Sequence, residues 1–145
     1  MKDNNYISYA ENNEQGAILH DELFLLQFNV IQGRGILEKE GCQDDDHGTF
    51  TSLVDNIMKK SAYIIICISK ATVTSYHQAI EINSAMDSKK TIVYIMTDED
   101  FTPQNTPYLN GLVKNNNRWL PGYDEPTIEA ALKFFVSMRE TTTCF

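Results

Sequence analysis

The run Ala62–Ile68 limits this chain's possible folds more than any other segment. It is almost continuously apolar and rich in isoleucine. A strand with one wet face alternates apolar and polar residues. A strand without that alternation has both faces covered, as in the middle of a parallel sheet flanked by helices. The segments around the run fit this. Tyr6–Tyr9 and Phe28–Ile31 read as short strands, with a helix from about Glu14 to Gln27 between them, carried by Leu19, Leu23 and Leu26. Phe50, Leu53, Val54, Ile57 and Met58 recur at helical spacing and form an amphipathic helix. Ser75-Tyr76-His77-Gln78 has capping-box spacing and opens another helix. Thr91–Met96 and Asn117–Leu120 are predicted as the fourth and fifth strands. A last helix starts near Asp124 and Pro126 and buries Ile128, Ala131, Leu132, Phe135 and Val136.

Strands alternating with helices predict an α/β domain. The expected form is a flavodoxin-like three-layer sandwich, a five-stranded parallel sheet of order 2-1-3-4-5 with helices on both faces. The 145 residues suit one domain, 1–145, with a core of about residues 5–138. In such a sheet ligands bind beyond the carboxyl ends of strands one and three. That puts Ser8, Tyr9 and Ala10 beside Ser69 and Lys70 at the mouth of any pocket.

Composition narrows the function classes. A net charge of −8 opposes binding to a phosphate backbone, so no nucleic-acid partner is expected. The acidic run Asp44-Asp45-Asp46 reads as a solvated loop and lacks the longer ligand pattern of a calcium site. Cys42, Cys67 and Cys144 match no zinc spacing, and no metal is expected. Cys67 sits in the apolar run as a small hydrophobe, and the cysteine usage fits a reducing, cytoplasmic setting. No leader peptide or membrane span is expected. No glycine-rich dinucleotide loop, P-loop or Ser/His/Asp constellation is present. Lys70 reads as a solvated lysine and Trp119 as a strand-face packing residue.

Several motifs taken in order resemble the Toll/interleukin-1 receptor (TIR) domains. Tyr6-Ile7-Ser8-Tyr9 is similar to their Phe-Ile-Ser-Tyr opening strand, and Ser61–Ser69 to their central strand. Thr74–Ile82 falls where the family has Ser-x-Trp-Cys-x-x-Glu-Leu. Gly48-Thr49-Phe50 stands where the loop after strand two ends. Asn117-Arg118-Trp119 with Thr127-Ile128-Glu129 resembles the end of the axon-degeneration subgroup. In two places the chain departs from that pattern: His77 replaces the usual Trp, and Ala10 replaces the Arg of axonal-type enzymes.

The resemblance implies one of two functions. Some TIR domains cleave NAD⁺ at the nicotinamide–ribose bond, by hydrolysis or cyclisation, using a glutamate on the helix after strand three. Here that residue is Glu81, and NAD⁺ is a substrate with no cofactor needed. Ser8, Tyr9, Ala10, Phe50 and His77 are the matching substrate-binding candidates. Other TIR domains are non-catalytic modules of innate-immune or cell-death signalling that assemble through TIR–TIR contacts. The polar stretch from Gln32 to Gly48, with Ile36 and Leu37, is then the candidate assembly loop. A phosphoacceptor receiver domain shares the topology, but Glu11 and Ser69 do not supply its acidic cluster. Periodicity gives a plainer expectation for Glu81. If Tyr76, Ala79, Ile80, Ile82 and Met86 form the buried arc, Glu81 lies on the exposed polar arc near His77, within pairing distance of it.

Overall fold

The computed structural model describes residues 4–33, 35, 47–101, 109 and 118–143, without the side chains of 47–49 and 140–143. In chain order the elements are β1 (Asn4–Ser8), α1 (Glu14–Leu25), β2 (Asn29–Ile31) and α2 (His47–Lys59). β3 (Ser61–Ile68), a 3-10 turn (Lys70–Thr74) and α3 (Tyr76–Ser88) follow. β4 (Thr91–Met96), β5 (Arg118–Pro121) and α4 (Glu125–Thr143) complete the described elements. The five strands pair in the order β2-β1-β3-β4-β5, and every pairing is parallel. This is the flavodoxin-like α/β arrangement, with four α-helices among the described residues.

The apolar run becomes the central strand and supplies both cores. Ile64, Ile66 and Ile68 face one layer, with Tyr6, Tyr94, Phe50, Val54 and Met58 of α2, and Ile82 and Ala85 of α3. Tyr63, Ile65 and Cys67 face the other, with Ile7, Leu19 and Leu23 of α1 and Ile128, Ala131 and Phe135 of α4. Each wholly buried Leu, Ile or Phe contributes roughly 1.5–3 kcal/mol. The two-residue alternation of β1 then decides the site. Tyr6 and Ser8 must point to the α2/α3 layer, and Ile7 to the α1/α4 layer.

Tyr9 continues that alternation past the end of β1. Its ring lies against the start of α1, where a Cβ on Gly16 would stand 2.6 Å from Tyr9 Cβ. Only glycine lets helix and strand end approach so closely. At the other end of α1 the chain turns through Gln27 at φ 66°. Phe28 N–H donates to Leu23 O and Gln27 N–H to Phe24 O, both at 3.0 Å. That is a Schellman closure, and it packs Phe28 onto the α1/α4 core.

Candidate functional site

α3 carries the site, and its start is well defined. Ser75 is the N-cap, and its Oγ accepts from Gln78 N–H at 3.2 Å. The face that α3 buries is not the one periodicity predicts. Gln78, Glu81, Ile82, Ser84 and Ala85 are buried, whereas Tyr76 is 54% and Met86 45% exposed. The physical reason is hydrogen bonding at strand ends. Gln78 Nε2 donates to Cys67 O at 2.8 Å and to Ser8 O at 3.4 Å, tying α3 to β3 and β1. Ser84 Oγ donates to Asp55 of α2. These partners outweigh the hydropathy of the side chains they hold.

Glu81 is therefore wholly buried, at 0% exposure, and not on an exposed arc. Ser8 Oγ donates to its Oε1 at 3.0 Å, and the Tyr6 phenol donates to its Oε2. Both hydroxyls come from the same face of β1. Tyr6 is not among the candidates expected from sequence but joins this cluster; its signal is its position two residues before Ser8, on the same face of the strand. The Tyr6 oxygen also accepts from Gly33 N–H at 3.2 Å. Burial first, and the Glu81 charge second, push the Cys67 thiol far above its ordinary range, so this cysteine stays protonated and unreactive.

His77 lies one turn before Glu81 on α3. It pairs with Glu11, Nδ1 to Oε1 at 3.3 Å, where pairing with Glu81 was also conceivable from sequence. Its side chain is 13% exposed and stands edge-on to Phe50, ring centroids 4.8 Å apart. Phe50 itself is a core residue of α2. Ala10, His77, Glu11, Ala71 and Tyr76 line a cleft of ≈ 350 Å³. A second cleft of ≈ 380 Å³ adjoins it, lined by Asn13, Ser69, Lys70 and Asp98, and the two share Asn12 and Ala71. Both open beyond the carboxyl ends of β1 and β3, where the topology predicts a ligand. Glu81 lines neither of these clefts and is wholly buried.

The candidates thus divide. Ser8 reaches Glu81, Ala10 and His77 share a cleft, and Phe50 backs His77. Tyr9 is turned away, its hydroxyl 3.1 Å from His20 Nδ1 on α1. Gly48 falls in the first turn of α2, and Ile36 and Leu37 lie outside the described residues. Lys70 is exposed, with its backbone N–H on Asp98 at 2.7 Å. Trp119 stacks on Tyr94 at 4.4 Å, the packing role expected of it.

The family model described as "Thoeris protein ThsB, TIR-like domain" matches residues 6–101, most of the chain. The chain belongs to this TIR-like family. The matched span of the TIR-like domain includes Tyr6, Ser8, Ala10, His77 and Glu81, so the whole constellation lies inside it. A comparison with curated proteins returns no match. Among the described residues of the TIR-like domain, no group of three or more His, Cys, Asp or Glu is placed to hold a metal. No described helix is long and apolar enough to cross a membrane.

Proposed function

We propose that this TIR-like domain is a signalling enzyme that cleaves NAD⁺ at the nicotinamide–ribose bond, with Glu81 as the catalytic carboxylate. One observation carries the reading. An ionisable carboxylate occupies a core position of α3, wholly buried and held by Tyr6 and Ser8 at the carboxyl end of β1. Burying a carboxylate works against folding, and packing alone gives no reason to keep one there. Its place at the carboxyl end of β1, on the edge where such sheets bind ligands, supports a chemical role.

The reaction asks little of the protein. Nicotinamide leaves as a neutral ring, taking the electron pair of the C1′–N bond, so no acid is required. The ribose left behind carries oxocarbenium-like positive charge, which a nearby carboxylate stabilises. Water then adds at C1′ and releases a proton, giving ADP-ribose; attack by another part of the same molecule gives a cyclic product. In this reading NAD⁺ enters beside Ala10 and His77. The cover over Glu81 must open for the carboxylate to meet the ribose.

One observation favours the alternative, a non-catalytic TIR–TIR assembly module: Glu81 is fully covered, and a covered carboxylate meets no substrate. Incubating concentrated protein with NAD⁺ and measuring free nicotinamide decides between them. Glu81→Gln and Glu81→Ala should lower release by at least about 100-fold, the usual scale for losing one key electrostatic group. Glu81→Gln should keep the wild-type circular dichroism and shift stability by no more than about 1 kcal/mol. Wild-type turnover in Glu81→Gln would remove the catalytic assignment. An inert wild type under assembling conditions would leave the scaffold.

A further inference from the structure

Tyr6 is wholly buried, and its ring belongs to the α2/α3 core with Phe50, Val54 and Ile64. A phenylalanine would fill that volume equally well. The phenol oxygen is what differs, and it has hydrogen-bond partners on two sides. Gly33 N–H donates to it at 3.2 Å, and its own O–H donates to Glu81 Oε2. The backbone donor occupies a lone pair of the phenol, so the single phenolic hydrogen is left for the carboxylate. A Cβ on Gly33 would overlap the Tyr6 hydroxyl, so glycine is what lets this backbone come so close.

We propose that Tyr6 is a positioning residue for Glu81: its phenol, fixed from behind by Gly33 N–H, keeps the carboxylate charged and in one orientation. The inference rests on the function proposed above for its catalytic consequence, while the pairing itself is testable without turnover. A donor to the ionised form favours that form, and hydrogen bonds to charged groups are the strong ones. The other groups around Glu81 have their own engagements. Ser8 Oγ donates to Oε1 from β1. On its own helix His77 pairs with Glu11, and from α2 Asp55 accepts from Ser84. Cys67 of β3 belongs to the core on the opposite face of the sheet.

The experiment follows the carboxyl carbon of Glu81 by NMR in protein labelled with ¹³C-glutamate, the signal being assigned by its loss in Glu81→Gln. Tyr6→Phe should raise the Glu81 titration midpoint by roughly one to two pH units relative to wild type. Gly33→Ala, which displaces the phenol, should raise it by less, and this second variant serves if Tyr6→Phe folds poorly. In NAD⁺ cleavage the acid limb of the pH profile should move up with the midpoint. At its optimum kcat should fall about tenfold with KM unchanged. A purely structural Tyr6 would lower the melting temperature and leave the midpoint in place, and an unmoved midpoint in both variants would overturn the proposal. A shifted midpoint in a protein that releases no nicotinamide would sustain the pairing and sink the enzymatic reading alone.

Discussion

His20 shows how one side chain links pH to stability in this domain. It is half-buried on α1, with the Tyr9 hydroxyl 3.1 Å from its Nδ1 and the rings edge-on at 5.9 Å. Burial lowers its pKa below the ordinary 6.5, against the weaker upward pull of Asp21 and a hydrogen bond to the Val30 backbone. The folded state therefore favours the neutral ring, and the unfolded chain binds the extra proton first. Stability should be full above about pH 6.5, decline as pH falls below it, and level off once the folded-state value is passed. His20→Gln should flatten that slope in thermal melts taken from pH 7.5 to 5. Equal slopes in the two proteins would mean that His20 does not set it. Glu81 shows the limit of reading single residues. Hydropathy scored it as a surface residue because the scale sees one side chain at a time. Its burial depends on Tyr6 and Ser8, more than 70 residues away in sequence. The family motif singles out the same position on other grounds, as the carboxylate the resemblance implies.

At the scale of elements, α1 is fastened to the sheet by its first cap. Asn13 Oδ1 accepts from Gly16 N–H at 3.0 Å, and its Nδ2 donates to Thr97 Oγ1 at 2.8 Å. Thr97 Oγ1 in turn donates to Ile68 O at 3.0 Å. One buried side chain thus joins α1 to the ends of β4 and β3, next to the clefts. Asn13→Ala should cost about 2 kcal/mol, for the lost cap and the unpaired Thr97. Urea denaturation of Asn13→Ala, Thr97→Val and the double variant should show less than additive losses, coupled by about 1 kcal/mol. Strict additivity would dissolve the proposed link. Elements with a strong period were legible in the sequence: the central strand, α2 and the start of α3 all appear where the pattern put them. The ends of α1 and β2 were less so. The helix stops at Leu25, and the strand starts at Asn29 instead of Phe28. A left-handed Gln27 has no compositional signature, yet it closes the helix and turns Phe28 into the core.

At the scale of the whole molecule, the parallel sheet gathers Ser8, Ala10, His77 and Glu81 at one edge, although they come from β1, the segment after it and α3. The topology rule foresaw that edge from the order of strands alone. It could not foresee that the carboxylate would be covered. If Glu81 is catalytic, something must uncover it, and association with another copy is a natural source of that free energy. The stretch from Gln32 to Gly48 is the segment whose sequence suits docking, because Ile36 and Leu37 stand among polar and charged residues. Both lie outside the described residues, so the expectation rests on sequence. A loop that docks on a different surface of the next copy makes a heterologous contact, which repeats and can grow into filaments. Nicotinamide release per mole of protein should then rise with protein concentration, in step with assembly seen by light scattering. Ile36→Asp or Leu37→Asp would place an unpaired charge in the contact, and each 1.4 kcal/mol lost there weakens association about tenfold. Either variant should keep the monomer's melting temperature and hold the per-mole rate at its dilute value as concentration rises. A rate strictly proportional to concentration and indifferent to both substitutions would show that the monomer is the working unit, and that the cover over Glu81 opens without a partner.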